Sequence, residues 1–274
     1  ALDRAVNPER FIIGKSEKRS LILEKFRTFL SLFNCEILEM SYESAELAKI
    51  SINCFLVSTV STTNMLAELC EELPGAEWND IKKSLYLDKR IGRFAYLKPG
   101  LGLAGGNLER DLKTLLDLSL LFRFNTETIA SWIRGSTHRK NWLIKVLRSH
   151  GKKNLQKIAL LGLAYKENTH STKNSPALQF LKFFKSDQVW VHDPIVKVDK
   201  KIFPFRKAES ITECIHNADI LVIATPWESY KSIKVEDVSK EMIGKIVIDP
   251  YGILDRDSFE KEGYNYFVLG SYKE

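Results

Sequence analysis

Residues 157–169 read K-I-A-L-L-G-L-A-Y-K-E-N-T, a short apolar run that ends at a glycine. Such a run predicts a buried β-strand followed by a turn, and Ser175 is placed to begin the next helix. The same pattern repeats toward the C terminus. Further strands are predicted at 189–192, 220–224, 246–249 and 266–269, and further helices near 208–217 and 235–243. Short apolar strands that alternate with helices indicate an α/β domain with a doubly wound parallel sheet.

Polar and aromatic residues follow the predicted strands of this sheet. They are Tyr165 and Lys166, Asp193, Thr225 to Trp227, and Asp249 to Tyr251. Ligands of parallel α/β sheets bind outside the carboxyl ends of the strands, so these residues mark a candidate binding edge. No G-x-G-x-x-G motif follows the first of these strands, so the domain is not predicted to hold a dinucleotide by itself.

Upstream of the sheet, residues 96–111 read Y-L-K-P-G-L-G-L-A-G-G-N-L-E-R-D, with four glycines within seven residues. Glycines tolerate positive φ angles and let another group approach the backbone closely. Unpaired N–H groups at the start of the following helix favour an anion or a developing negative charge. The segment is therefore predicted to be an active-site loop, with Asn107 near the turn and Asp111 one helical turn later. The alternative is a glycine-rich connector between helices, in which Asn107 is a plain helix N-cap.

A long helix is predicted from an N-cap at Ser44 to about Glu72. Lys49 and Asn53 lie four residues apart within it and share one face. The alternative for this pair is a solvated charge and a polar patch on a buried helix. Residues 50–67 carry no charge, but eight of the eighteen are Ser, Thr or Asn, which favours a buried helix over a membrane span. A helix this long often links subdomains or forms a dimer interface.

The N-terminal segment is predicted to form a β-α-β fragment, with strands at 10–14 and 35–40 and a helix at 16–33 between them. This fragment is too small to bury a core of its own. Further helices are predicted at 77–87, 108–122 and 126–149, with Gly135 as a weak point inside the last of them.

The composition is that of a globular protein, with 274 residues, a net charge of +6 and 44% hydrophobic residues. Its basic residues are scattered and form no arginine-rich arm, so nucleic-acid binding is not predicted. The four cysteines lie far apart and form no C-x-x-C pair, which indicates reduced thiols and no metal site. No signal peptide is visible, and we expect a cytoplasmic protein without a membrane partner.

Five segments together resemble one protein family, the UDP-glucose/GDP-mannose (nucleotide-sugar) dehydrogenases. They are N-P-E-R-F-I-I-G (7–14), A-E-L-A-K-I-S-I-N (45–53), D-K-R-I-G (88–92), the glycine loop, and G-L-A-Y-K-E-N-T-H-S-T-K-N-S-P-A-L (162–178). They occur in the family's order and cover nearly the whole chain. The last is the longest and the most specific, since it resembles the family pattern G-L-A-F-K-x-x-T-D-D-x-R-x-S-P-A-L.

The resemblance implies an enzyme that oxidises the C6 alcohol of a UDP- or GDP-linked sugar to a carboxylate with two molecules of NAD. It implies three parts. Residues 1–43 would be the remnant end of an N-terminal NAD-binding domain, and 44–150 a central helical region for dimerisation and the active site. Residues 151–274 would be a C-terminal, Rossmann-like domain that binds the nucleotide-sugar. A homodimer would form through the long helix at 44–72.

The resemblance also implies roles for individual residues. Lys49 and Asn53 would hold a water molecule and stabilise an oxyanion, and Asp111 would assist proton transfer. Asn107 stands at the position of the family's catalytic cysteine. The implied substrate contacts are Arg90 from a neighbouring subunit, the backbone at Gly100, Gly102 and Gly105, and the side chains of Tyr165 and Lys166. Lys173 and Tyr251 stand at implied cofactor-binding positions.

Several positions depart from the family pattern. A carboxamide at Asn107 cannot add to an aldehyde to form the thiohemiacetal that the second oxidation needs. Cys54 adjoins Asn53 but points about 100° away around the helix, so it is not expected to substitute. Glu109 replaces an apolar residue or proline. His170 and Ser171 replace acidic residues, and Lys173 and Tyr251 replace arginines.

Three hypotheses follow from the resemblance and the departures. The first is a truncated, degenerate relative that has lost the complete two-step oxidation and retains a dimer and a weakened nucleotide-sugar site. The second is a fragment of an NAD-dependent dehydrogenase, which the start at Ala1 instead of Met favours. Because of Asn107, such an enzyme would yield an aldehyde. The third is a dimeric interaction scaffold without catalysis.

Overall fold

The structure is a computed structural model that describes residues 5–16, 22–150, 157–185, 187–197 and 205–273. The chain divides into two compact units, Ala1–Phe55 and Leu56–Glu274. The predicted three-part division at 43 and 150 stays a prediction.

The first unit contains a two-stranded parallel sheet, which confirms the predicted β-α-β fragment. Strand β1 (Arg10–Lys15) pairs in parallel with strand β2 (Glu36–Ser41). Helix α1 (Glu24–Ser31) joins the two strands and is shorter than the helix predicted at 16–33. Residues 17–21 of that prediction lie outside the described residues.

Helix α2 (Tyr42–Glu72) is the predicted long helix, and its 31 residues make it roughly 46 Å long. It begins two residues before Ser44, so the predicted N-cap is wrong. The chain turns into the helix directly after β2, and the Ser41 hydroxyl accepts a hydrogen bond from the Ser44 backbone N–H at 3.3 Å. Ser41 therefore does the capping.

Only part of α2 is buried within the chain. Its buried residues include Asn53, Val57, Asn64 and Ala67, whose spacing is that of one helix face. Of the 18 consecutive residues that form the most apolar part of α2, 28% are buried. The predicted burial of this helix therefore holds only for the face that carries these four residues. Among the described residues, α2 is the one helix whose length and composition would allow a membrane span, a test that core helices of soluble proteins also pass.

Four more helices precede the sheet. They are α3 (Trp78–Leu87), α4 (Asn107–Phe122), α5 (Glu127–Lys140) and α6 (Trp142–His150). The predicted single helix at 126–149 is interrupted, but at Asn141 and not at Gly135. A glycine inside a helix costs only about 1 kcal/mol relative to alanine, which the neighbouring turns of α5 can offset.

The second unit carries a parallel sheet, as predicted, with six strands where five were predicted. Its strands are β3 (Ile158–Leu161), β4 (Val189–His192), β5 (Arg206–Lys207), β6 (Ile220–Ile223), β7 (Ile246–Ile248) and β8 (Asn265–Phe267). The spatial order is β5-β4-β3-β6-β7-β8, with every neighbouring pair parallel. The chain winds outward from β3 in one direction and from β6 in the other. The switch point of this doubly wound sheet therefore lies between β3 and β6.

Among the described residues, four α-helices connect these strands. They are α7 (Pro176–Leu181), α8 (Ile211–Ile215), α9 (Val235–Glu241) and α10 (Arg256–Lys261). The predicted start at Ser175 is confirmed, because its side chain caps α7 by accepting a hydrogen bond from the Ala177 N–H. Strand β5 and helix α10, which have two and six residues, were not predicted. A two-residue strand is too short to show a periodic pattern.

Candidate functional site

The glycine loop connects α3 to α4, and side chains of other elements hold its backbone. The Gly100 N–H donates to Asn64 Oδ1 at 2.8 Å, and the Leu103 N–H donates to Ser136 Oγ at 2.8 Å. Asn64 is buried on α2 and Ser136 is buried on α5. Neither residue was predicted, since a polar residue inside an amphipathic helix gives no sequence signal for a loop partner far along the chain.

Three glycines of the loop lie directly beneath side chains. Gly102 and Gly105 have φ angles of +81° and +82°. A Cβ atom at Gly105 would lie 2.8 Å from Cε2 of Tyr165, and one at Gly106 would lie 2.9 Å from Nζ of Lys173. A Cβ at Gly102 would meet the backbone oxygen of Ser136 at 2.5 Å. The glycines therefore allow the chain's own groups to approach.

Gly100 is the exception in this loop. A Cβ atom placed there meets no atom within 4 Å, so this side of the loop faces open space. The predicted backbone contacts to the sugar at Gly100, Gly102 and Gly105 stay predictions. Of the three positions, Gly100 has the space that a ligand needs.

The structure brings the glycine loop together with the segment that follows β3. The Gly105 N–H donates to the Lys173 oxygen at 3.0 Å, and Nδ2 of Asn174 donates to the Gly105 oxygen at 2.9 Å. Tyr165 lies on the same glycine, and Nζ of Lys166 lies 5.6 Å from the Tyr165 ring centre. Two stretches that the sequence marked separately thus form one surface, with the ammonium groups of Lys166 and Lys173 on it.

Asp193 fixes the strand ends next to this surface. Its Oδ2 accepts hydrogen bonds from the Leu163 N–H at 2.7 Å, the Ala164 N–H at 3.1 Å and the Trp227 indole at 3.1 Å. These contacts tie together the segments after β3 and β6, on both sides of the switch point. The buried Asp193, which the sequence placed at the ligand edge, therefore has a structural role.

Asp249 organises the turn after β7 in a similar way. This buried carboxylate accepts hydrogen bonds from the Tyr266 hydroxyl at 2.6 Å and from the Ile253 N–H at 2.7 Å. Burial raises the pKa of Asp249. Tyr251 follows it and donates its hydroxyl to the Ala224 oxygen at 3.3 Å, and burial raises the pKa of its phenol. The Lys98 ammonium lies 5.9 Å from the Tyr251 ring centre.

The predicted catalytic residues lie as two pairs on two helices. Lys49 is exposed and Asn53 is buried, one turn apart on α2 in the first unit. Asn107 is exposed and Asp111 is buried, one turn apart on α4 in the second unit. Each pair shares a helix face, and the catalytic roles stay predictions.

The first turn of α4 shows that the alternative role of Asn107, as a plain helix N-cap, is wrong. Gly106, not Asn107, stands at the N-cap, and no side chain caps the helix there. Asn107 is already helical, because the glycine loop ends one residue earlier. Asp111 accepts hydrogen bonds from Nε and Nη2 of the neighbouring Arg110 at 3.1 and 3.0 Å.

Arg90 lies in the predicted turn after α3. Its guanidinium donates two hydrogen bonds to Asp88, at 3.0 and 2.7 Å, and these hydrogen bonds lower the pKa of Asp88. The Arg90 side chain is 88% exposed. A contact to another subunit stays a prediction.

The residues present do not fit a bound dinucleotide. Residues 100–105 spell G-x-G-x-x-G, but the segment follows irregular chain and not a β-strand, as the dinucleotide motif requires. The N–H groups of Gly100 and Gly105 and the faces of Gly102 and Gly105 already contact the protein. Lys173 follows β3 and Tyr251 follows β7, and β6 lies between these two strands in the sheet. The two predicted cofactor-binding residues therefore do not follow neighbouring strands. Within the described part of the chain, no group of three His, Cys, Asp or Glu residues could hold a metal ion.

The long helix, the glycine loop and the parallel sheet, in this order along the chain, place the fold in the class of nucleotide-sugar dehydrogenases. The chain belongs to the UDP-glucose/GDP-mannose dehydrogenase family: residues 43–134 match its central domain and residues 159–256 its UDP-binding domain. NAD is the cofactor of this family of oxidoreductases.

Individual relatives extend the match beyond these two domains. The UDP-glucose 6-dehydrogenase of Rickettsia prowazekii is 28% identical over 280 residues, which are 99% of this chain and 64% of that protein. UDP-glucose 6-dehydrogenase TuaD of Bacillus subtilis is 27% identical over 98% of this chain and 59% of its own length. The UDP-D-ManNAc dehydrogenase of Pyrococcus horikoshii superposes with a TM-score of 0.80 at 25% identity, over 97% of this chain and 61% of that one. The chain thus spans about 64% of the first curated relatives.

Proposed function

We propose that this chain binds a nucleotide-sugar on the surface formed by the glycine loop and the segment after β3, and that it lacks the complete two-step oxidation. The observation that carries the binding proposal is the pair of hydrogen bonds that joins Gly105 to residues 173 and 174. It places the ammonium groups of Lys166 and Lys173 beside a loop with open space at Gly100. Two cations beside an open backbone edge suit a diphosphate linked to a sugar.

The catalytic part of the proposal depends on Asn107. The second oxidation needs a nucleophile that adds to the aldehyde carbon and later leaves as a thioester is hydrolysed. The Asn107 carboxamide cannot do this, because its nitrogen lone pair is delocalised into the carbonyl group. The ammonium groups of Lys166 and Lys173 remain to bind a nucleotide-sugar, so the loss of the second oxidation does not remove binding.

Isothermal titration tests the binding proposal. We expect UDP-glucose or GDP-mannose to bind the purified chain with a Kd between micromolar and low millimolar, and Lys166→Met to weaken it by about tenfold, the usual effect of losing one charged contact. Free glucose serves as the ligand control. Absence of heat with both nucleotide-sugars at millimolar concentration would contradict the proposal.

A second candidate is that the chain is part of a longer NAD-dependent dehydrogenase, and the 64% coverage of relatives favours it. In that case Asn107 predicts an aldehyde product from the alcohol. Product analysis by NMR would check this, and carboxylate formation at the rate of a cysteine-containing relative would contradict it.

The third candidate is a dimeric scaffold, which the incompletely buried α2 supports. A homodimer through α2 also belongs to the first proposal, as does a cytoplasmic location. Light scattering on the chain would measure the oligomeric state. A dimer that binds neither nucleotide-sugar would favour the scaffold.

A further inference from the structure

Glu109 joins three separate segments of the second unit. It lies in the first turn of α4, and its side chain is 33% exposed. Its Oε1 accepts a hydrogen bond from Nζ of Lys140, at the end of α5, at 2.8 Å. Its Oε2 accepts a hydrogen bond from Nδ2 of Asn174, which precedes α7.

The two partners of Glu109 both contact the glycine loop. The Lys140 side chain passes Gly102 so closely that a Cβ there would lie 3.1 Å from its Cγ. The Asn174 amide, besides binding Glu109, donates to the Gly105 oxygen at 2.9 Å. Asn174 is held in the left-handed region at a φ of +56°, a conformation that asparagine adopts more readily than most residues. The carboxylate therefore fixes one group on each side of the loop.

Both backbone polar groups of Gly105 are held by the same neighbouring segment. Its oxygen accepts from Asn174, and its N–H donates to the Lys173 oxygen at 3.0 Å. The Tyr165 ring then covers the glycine and Nζ of Lys173 covers Gly106. Any shift of Asn174 would move all of these groups relative to the loop.

We propose that Glu109 is a positioning residue that locks the glycine loop onto the segment 171–175 and so sets the affinity for a nucleotide-sugar. An apolar residue or proline at this position could make neither of its two bonds. The part of the proposal that concerns affinity rests on the proposed function above. The lock itself can be measured without any ligand.

Hydrogen exchange at the Gly105 amide tests the lock in the full chain. We expect Glu109→Ala to speed this exchange at least tenfold, as loss of a hydrogen-bonded restraint should. Glu109→Gln keeps an acceptor for Asn174 and should retain most of the protection. Asn174→Gly keeps the left-handed backbone, removes the amide and should match Glu109→Ala. Glu127→Ala, in the first turn of α5, is the control and should change nothing.

Two outcomes would overturn the lock. One is unchanged exchange at Gly105 in Glu109→Ala. The other is an effect of the double variant Glu109→Ala/Asn174→Gly that equals the sum of the single effects, because two parts of one lock cannot add. Thermal unfolding of each variant confirms that the comparison is made between folded proteins.

Titration with UDP-glucose then tests affinity. We expect about a tenfold higher Kd for Glu109→Ala, with Glu109→Gln in between, as for one charged hydrogen bond. Faster exchange without a change in Kd would overturn the positioning role. If the unaltered chain binds no nucleotide-sugar while exchange still responds to Glu109, the proposed function fails and the lock stands.

Discussion

Replacing Gly105 with alanine provides a sensitive test of how the glycine loop is packed. The residue has a φ angle of +82°, and a left-handed backbone costs an L-residue with a Cβ about 1–2 kcal/mol. The new methyl group would also lie 2.8 Å from a carbon of the Tyr165 ring, so the ring must move, and overpacking of this kind costs about 1–3 kcal/mol. The lower entropy of the unfolded alanine chain offsets about 0.4–1 kcal/mol. We therefore expect the free energy of unfolding to fall by about 1–5 kcal/mol.

Gly100→Ala is the matched control in the same loop. Its Cβ would meet no atom within 4 Å, and its φ angle lies outside the left-handed region. The free energy of unfolding should therefore rise by about 0.4–1 kcal/mol, because only the lower entropy of the unfolded chain changes. Urea unfolding followed by circular dichroism measures both variants, with the m-value showing whether the transition has kept its cooperativity.

The double variant Tyr165→Ala/Gly105→Ala separates the two contributions to the loss. Without the ring, only the backbone cost and its entropic offset should remain, so Gly105→Ala should destabilise the Tyr165→Ala background by at most about 1.6 kcal/mol. Equal stability of Gly105→Ala and Gly100→Ala would refute the reasoning. So would an undiminished effect in the Tyr165→Ala background, because the ring would then not be the obstacle.

Three further predictions concern other groups. Glu71→Ala should lower the free energy of unfolding by about 3–5 kcal/mol in urea, because Arg139 is 2% exposed and loses both of its hydrogen bonds to Glu71, at 2.5 and 3.1 Å. The Glu68 carboxylate remains only at 3.8 Å. Arg139→Met with Glu71→Gln should cost less than Glu71→Ala alone. Asn107→Cys should give a thiol of lowered pKa, seen in the pH dependence of alkylation, since it stands at a helix start directly after Gly106, which the Lys173 ammonium covers. Lys173→Met should raise that pKa. Burial lowers the pKa of His192 below its usual 6.5, so the unfolded chain binds this proton first and stability falls as the pH drops below 6.5. His192→Gln should reduce that loss in unfolding experiments at pH 7 and pH 5.5, and an identical pH dependence would contradict it.

The fold could be predicted where local pattern and packing agree. The runs that became β3, β4, β6 and β7 are short, apolar and fully or half buried, so their type and place follow from composition alone. Strand β5 was missed, because its two residues, Arg206 and Lys207, are charged and exposed and make a strand only through pairing with β4. The cap of α2 was misplaced by three residues, since two serines stand close together and only the end of β2 decides between them.

The candidate site could be predicted in its parts but not in its contacts. Both the glycine loop and the segment after β3 stand out in the sequence, and the structure joins them. The groups that hold them, such as Asn64 and Ser136, come from helices far along the chain, and their partners are backbone N–H groups. A backbone N–H has no residue identity, so no pattern of letters can indicate which side chain it will meet.

The two departures in the first turn of α4 have opposite physical consequences. The exposed Asn107 stands where the resemblance puts the family's nucleophile, and a carboxamide cannot form the covalent intermediate with an aldehyde. Glu109, two residues later, adds a charge that binds Lys140 and Asn174 and ties the loop to the sheet domain. The proposed function thus puts the missing nucleophile and the contacts of Glu109 within a single helical turn. A protein under these constraints can keep a preorganised ligand surface without the second oxidation, and Asn107→Cys together with Glu109→Ala tests whether the two properties separate.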